Sequence, residues 1–268
     1  MIAILIIIGI GVLVIFRNDW KKTIYLLMLT IPFFGFIHLK ITHLTALSPL
    51  LHDITIILPM YFLFIFNKTK KKYNQLYLPS YFKNFLLFFI FTIIIFTINP
   101  FYETHLLVRL VGLKIWIFYL LFIVIGFEFI DNELELKKFC NFFAIVAIIP
   151  CVIGILQYLG SYVVGQREAM TAFYSGNYYL ADMSTQGFTS FEWGSGVIVY
   201  RLPSTFSFSA QFHVFTLSAM VPAIAAVGFA ETNKEKYFYS MIVVLIILAA
   251  YSSGARATTI NFLLFFTF

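Results

Sequence analysis

Apolar residues in this chain come in long unbroken runs, not in the alternation of a half-buried strand or the spaced stripe of a water-facing helix. The runs are Ile2–Phe16, Ile24–Leu39, Leu47–Phe66, Phe85–Ile98, Leu106–Phe127, Phe139–Leu159, Phe206–Ala230, Tyr237–Tyr251 and a last one from Thr258 to the end. A membrane-spanning helix needs about 20 mostly apolar residues. The pattern therefore predicts an all-α, polytopic transmembrane helix bundle with eight helices and the start of a ninth. Residues 1–268 form one integral membrane domain on this reading. The first run has no basic leader and no small-residue cleavage site, so it reads as a short transmembrane helix and not as a signal peptide. Pro32, Pro59, Pro150 and Pro222 fall inside spans, where neighbouring helices can satisfy the carbonyl a proline frees. The stretch "TTINFLLFFTF" stops within an apolar run with no flanking charge, and so reads as C-terminally truncated, a segment of a longer protein.

Composition supports lipid as the solvent. The 268 residues are 61% apolar and 11% charged, with a mean hydropathy of +0.93, whereas soluble domains carry about 25% charge. The net charge is +6, and its distribution sets an orientation. Asn67–Asn84 holds Lys68, Lys70, Lys71, Lys72 and Lys83 and no acid, which marks that loop as cytoplasmic. Alternation then places Arg17–Lys22, Glu128–Lys138 and Glu231–Lys236 inside. It places His38–Ala46, Asn99–His105, Gly160–Thr205, Ser252–Ala257 and the N-terminus outside. The basic excess thus reads as topology, not as a nucleic-acid surface. Cys140 and Cys151 lie eleven residues apart in one run, about 16 Å along a helix. That is beyond disulfide reach, and both read as packing residues.

One extended polar region, Gly160–Thr205, separates the sixth and seventh runs. It holds Arg167, Glu168, Asp182, Glu192 and Arg201 among Tyr162, Phe173, Tyr174, Tyr178, Tyr179, Phe188, Phe191, Trp193 and Tyr200. Disordered segments are poor in aromatics, and long loops of this kind are otherwise functional. Arg167 and Trp193 are its candidate substrate-binding residues; an aromatic belt at the bilayer surface is the competing reading for any single tyrosine. Asp53, just inside the third run, is a further binding candidate, because an acid at membrane depth is expensive; a place in the headgroup zone is the alternative. His38, His43, His52 and His105 read as interfacial. No Gly-rich phosphate loop, HExxH, GxSxG or DxD pattern occurs, and no metal and no cofactor is predicted.

The stretch "RLPSTFSFSAQ" from Arg201 resembles a signature of the O-antigen ligase and O-antigen polymerase family, in which arginine is followed by Gly-Thr-Phe and then Pro-Asn. Arg201, Thr205 and Phe206 match in spacing; Ser204 stands at the usual glycine, and Ser209 and Ala210 stand where Pro-Asn is common. "IGILQYLG" (Ile153–Gly160) is similar to the end of the helix before the family's outside loop, and "YSSGARATTINFLLF" from Tyr251 to the start of its core region. The resemblance runs from about the third helix onward. It implies a metal-independent glycosyltransferase of the bacterial inner membrane that takes glycan from an undecaprenyl diphosphate carrier at the outer face and serves surface-polysaccharide synthesis, with membrane lipid, the lipid-linked oligosaccharide and other polysaccharide-assembly proteins as partners. Arginine suits the leaving diphosphate, being always charged and matching its oxygens bidentately. Arg201 and Arg256 are therefore the candidate catalytic pair, with Thr205 at the substrate. The family's acceptor-handling residue belongs to a later outside loop and has no match in this chain; His213, about two turns into the seventh helix, does not replace it.

Two other classes stay open. A transporter or flippase for lipid-linked glycan would share the helices and arginines, but calls for internal repeats and charges at the midplane. An inactive membrane fragment, serving only as a scaffold, would need none of the site.

Overall fold

The computed structural model describes residues 2–37, 51–70, 82–98, 114, 118–174, 176–184, 190–193, 197–207 and 209–254. Their regular structure is helical apart from one two-stranded hairpin. In chain order come α1 (Ile2–Phe16), α2 (Lys21–Thr30), a 3₁₀ turn (Ile31–Phe33) and α3 (Phe34–Ile37). A π-helical turn (Asp53–Ile57) leads into α4 (Leu58–Lys70), followed by α5 (Phe82–Ile98) and, after a 3₁₀ turn (Phe118–Leu120), α6 (Leu121–Phe129). Then come α7 (Glu133–Val164), α8 (Gln166–Phe173), α9 (Tyr178–Ser184), β1 (Ser190–Trp193), β2 (Val197–Tyr200), α10 (Ser209–Phe229) and α11 (Asn233–Ser252). The strands pair antiparallel, with Ser190 opposite Tyr200 and Trp193 opposite Val197.

The chain divides into two compact units, Met1–Leu63 with Lys137–Phe268, and Phe64–Leu136. Within the second, Lys68 pairs with Glu128, and both side chains are largely withdrawn from the surface. The same unit leaves Leu86, Leu87, Phe88, Ile90, Phe91, Ile94 and Ile95 of α5 exposed.

Among the described residues three helices are long and apolar enough to cross a membrane: α7, α10 and α11. The hydrophobic pattern predicts eight and the start of a ninth. Ala3–Phe16 and Phe82–Phe96 are apolar but shorter. The second run is interrupted, because Pro32 sits in the 3₁₀ turn that separates α2 from α3 and lacks the N–H that would continue the ladder. The third run enters through the π turn. Half of the fifth run and the whole ninth lie outside the described residues.

The larger unit packs through small side chains. In α7, Cys140, Ala144, Ala147, Cys151, Gly154 and Ser161 form a buried stripe at spacings of three, four and seven. Thr216, Ala219, Ala223 and Ala226 do the same in α10, and Ala249 with Ala250 in α11. Small residues let helix backbones approach where lipid removes the hydrophobic drive for association. Both cysteines are free and buried, as their spacing predicts. The opposite face of α7 exposes Ile145, Ile149, Val152, Leu156 and Leu159. A helix apolar on both faces is unsuited to water.

The two ends of these helices are pinned separately. Lys137, at the start of α7, pairs with Glu231 in the turn between α10 and α11. That turn is closed by a capping box in which Thr232 and Glu235 satisfy each other's backbone N–H groups. At the other end the rings of Tyr158 (α7) and Tyr251 (α11) meet edge to face at 6.0 Å. Gln157 lies twenty residues beyond Lys137, about 30 Å of helix rise. These contacts place Lys137 beside Glu231 at one end and Tyr158 beside Tyr251 at the other.

Gly35 is where the N-terminal helices admit the segment before α10. A Cβ there would sit 2.1 Å from both Phe206 C and Ser207 N. Gly35→Ala should therefore lower unfolding stability in detergent by about 1–3 kcal/mol, the usual cost of overpacking. Gly11→Ala, which meets nothing within 4 Å, should be neutral; equal losses in denaturant titrations of the two variants would show that Gly35 is not a contact point.

Candidate functional site

The described residues of the polar region after α7 form two short helices and the β1–β2 pair. Gly165, at φ 95°, ends α7 and starts α8, and Gly176, at φ 85°, turns the chain toward α9. Both values are in the left-handed region that glycine enters without Cβ strain. Arg167 then locks the two short helices: its Nε and Nη2 donate to the two carboxylate oxygens of Asp182, each at 2.9 Å, and its guanidinium lies 5.3 Å from the centre of the Tyr178 ring. The hydrogen bond and charge of Asp182 hold the Arg167 pKa above its ordinary value. Beneath this lock Met170, Tyr174, Ala181 and Leu202 form a satellite core, walled by Phe36, Tyr158, Phe173 and Tyr200.

Leu202 anchors the start of a buried segment without regular structure. Residues 202–207 are all buried, and Arg201 at their head is partly exposed. Irregular backbone away from water needs partners for each polar group, and here they come from side chains and from the break after α2. The carbonyl of Arg201 accepts from Gln166 Nε2 at 3.4 Å. That of Ser204 accepts from Gln157 Nε2 at 3.0 Å, and that of Thr205 from the Phe36 N–H at 2.9 Å. The Phe206 N–H donates to Pro203 O at 2.9 Å, and the Ser207 N–H to Gln211 Oε1 at 3.2 Å. Ser204 Oγ donates to Pro150 O at 2.5 Å, reaching the carbonyl at the proline of α7.

Ser204 has φ 55° and is the only residue other than glycine with positive φ among the described residues. That conformation costs on the order of 1 kcal/mol or more in a non-glycine. Gly154 makes room for the turn: a Cβ on it would meet the Phe212 ring at 2.4 Å and Ser204 Cβ at 3.4 Å. Gly254, at φ 67°, closes over the head of the segment, where a Cβ would lie 2.5 Å from Tyr200 O and 2.8 Å from Arg201 Cγ.

The candidate residues fall in different places. Arg201 stands at the mouth of the segment. Thr205 is 2% exposed, and its Oγ1 has no hydrogen-bond partner among the described residues; it lies inside the protein, not on an open surface. Asp53 is also 2% exposed, in the π turn, with Oδ1 3.8 Å from His52 Nε2. Gly9 of α1 abuts this turn, since a Cβ there would sit 2.7 Å from Ile54 O. The break after α2 joins the two regions: the Phe34 ring lies 4.6 Å from the His52 ring, Gly35 faces Phe206, and Phe36 bonds Thr205. Arg167 has its fork on Asp182. Trp193 is placed by its backbone in β1, its side chain being outside the described residues. Arg256 lies outside the described residues altogether.

Gln157 and Gln166 were missed as site residues by sequence reasoning, although Gln157 is a visible polar interruption of "IGILQYLG". Missed too was a row of four tyrosines beside Arg201. Tyr200 meets Tyr162 at 5.3 Å, Tyr162 meets Tyr158 at 5.0 Å, and Tyr158 meets Tyr251 at 6.0 Å, all edge to face.

Ser204 trades backbone strain against the hydrogen bond to Pro150 O, so two substitutions should separate the two effects. Ser204→Gly relieves strain and loses one bond, and should change unfolding stability by less than about 1 kcal/mol. Ser204→Val keeps the strain, loses the bond and adds a β-branch, and should cost at least about 2 kcal/mol. Denaturant titration of the detergent-solubilised variants measures both, and a Val variant as stable as the Gly one would contradict the positive φ.

Comparison with known proteins assigns no family to this arrangement: no family model, no curated protein and no solved structure matches the chain.

Proposed function

We propose that the chain is a multi-pass protein of the bacterial inner membrane that holds an undecaprenyl-diphosphate-linked glycan at its outer face and transfers or polymerises that glycan in surface-polysaccharide synthesis. The observation that carries this reading is Arg201, a partly exposed cation at the head of a buried, non-helical segment, at the helix ends opposite the Lys137–Glu231 pair. Non-helical backbone among apolar helices is tolerated where it is buried in protein or lines a cavity, and sites for charged substrates are built on such breaks. Ser204 adds support. The resembled motif carries glycine where this chain adopts φ 55°, so the backbone conformation and the motif agree at a position that composition alone would not single out.

In this reading Arg201 donates to the carrier diphosphate, whose negative charge grows as the bond from the anomeric carbon to the diphosphate oxygen breaks. An arginine aimed at the leaving oxygens stabilises that charge. Gln166 and Gln157 keep the segment in place through its carbonyls, and Arg256 is the second cation that the resemblance supplies. Arg167 acts at a distance, by holding α8 to α9 above the satellite core.

Arg201→Ala should reduce glycan transfer about a hundredfold, the loss of an oxyanion-type donor worth on the order of 3 kcal/mol. Arg201→Lys should also transfer poorly, since ammonium keeps the charge without the fork. Arg17→Ala, in the turn between α1 and α2, is the matched control and should behave as wild type. The assay is the ladder of glycan products on a gel beside the membrane level of each variant, in cells carrying the full-length protein. A normal ladder from Arg201→Ala at normal level would leave Arg201 an interfacial anchor and remove the reading.

A further inference from the structure

The tyrosine row beside Arg201 has a geometry that an anchoring belt does not require. A belt requires only that each ring sit at headgroup level, with no contact from ring to ring. Here Tyr200, Tyr162, Tyr158 and Tyr251 touch in sequence with interplanar angles of 68°, 69° and 71°, and the hydroxyls of Tyr158 and Tyr162 are 3.3 Å apart. The four rings come from β2, α7 and α11, so tertiary structure assembles them. Tyr158 and Tyr200, both partly buried, pack on the satellite core. Tyr162 and Tyr251 remain 50% and 63% exposed, one on either side of Tyr158. Tyr200 is covalently next to Arg201, and Gly254, three residues after Tyr251, lies against both Tyr200 and Arg201. A cation and a contiguous row of tyrosine rings, two of them exposed, thus adjoin at one end of the helices.

A sugar joined to a diphosphate presents those two chemistries side by side: an anion, and a ring with one face of C–H groups and a rim of hydroxyls. Aromatic faces pack against C–H groups, and tyrosine adds a hydroxyl that hydrogen-bonds the rim. We propose that Tyr158, Tyr162, Tyr200 and Tyr251 form a sugar subsite, a platform for the ring attached to the carrier diphosphate that Arg201 holds. The proposal rests on the reading of Arg201 given above. It adds that recognition of the first sugar is by stacking, with the two exposed rings, Tyr162 and Tyr251, making contact and the two partly buried ones, Tyr158 and Tyr200, holding them.

The test separates the two readings with two probes on purified full-length protein in detergent: undecaprenyl diphosphate, and undecaprenyl diphosphate bearing one N-acetylglucosamine. Wild type should bind the glycosylated carrier more tightly than the bare one. Tyr162→Ala and Tyr251→Ala should each weaken the glycosylated carrier about fivefold to tenfold, the scale of one aromatic contact, and leave the bare carrier unchanged. Tyr162→Phe should retain most of the affinity, since the face remains. Arg201→Ala should weaken both probes. Wild-type binding of neither probe would end the carrier reading itself. Binding of both probes with equal affinity, or equal losses for both in the tyrosine variants, would overturn the sugar subsite and leave the Arg201 reading standing. Unchanged binding in every tyrosine variant would reduce the row to interfacial packing.

Discussion

The structure depends on one constraint: the segment 202–207 gives up helical hydrogen bonding while buried among apolar helices, so each of its polar groups must find a partner elsewhere. An unpaired backbone group away from water costs free energy on the scale of a lost hydrogen bond. Gln157, Gln211, the Phe36 N–H and the Pro150 carbonyl meet part of that demand, and Gln166 holds the carbonyl of Arg201 just before the segment; Thr205 Oγ1 has no partner among the described residues. Their positions dictate much else. Phe36 can reach Thr205 because Pro32 ends α2 and Gly35 lets the two backbones meet. Gln157 can reach Ser204 because Gly154, one turn earlier, leaves space for Phe212 and the turn at Ser204.

The same constraint explains why charge is sparse and local. Arg201 stays partly exposed at the head of the segment, and everything behind it is neutral. Where charges are withdrawn, they are paired: Lys68 with Glu128 in the smaller unit. Arg167 and Asp182 are exposed, and exposed pairs contribute little to stability. Their bidentate geometry matters for position, because it sets α8 against α9 over the core that carries Leu202. The arrangement of Arg201 thus depends on Gln166, on Gly254 and on the core beneath α8 and α9.

How far this could be read in advance differs from residue to residue. Arg201 stood out because an arginine before an apolar run is costly and because the residues after it resemble a known signature. Thr205, chosen by the same resemblance as a substrate contact, is buried with its carbonyl on Phe36; motif spacing carries no information about which way a side chain faces. Asp53 was legible as an oddity, but the π turn that holds it was not, since one extra residue in a helical turn leaves no compositional trace. Gln157 was visible as a polar residue in an apolar run, yet its partner is forty-seven residues away. The tyrosine row joins three elements distant in sequence, and no local pattern announces it.

What the sequence by itself determined is the helical class, the apolar demand and the position of the polar region between α7 and α10. These follow from run length and composition, both of them local or additive along the chain. Tertiary structure alone decided that the runs are unequal, with three helices long and apolar enough to cross a membrane among the described residues. It alone decided that α8, α9 and the β1–β2 pair form within the polar region, and that Ser204 takes a left-handed backbone with its hydroxyl on Pro150. Those outcomes depend on close approach at Gly35, Gly154 and Gly254, where the absence of a Cβ matters only once another part of the chain arrives.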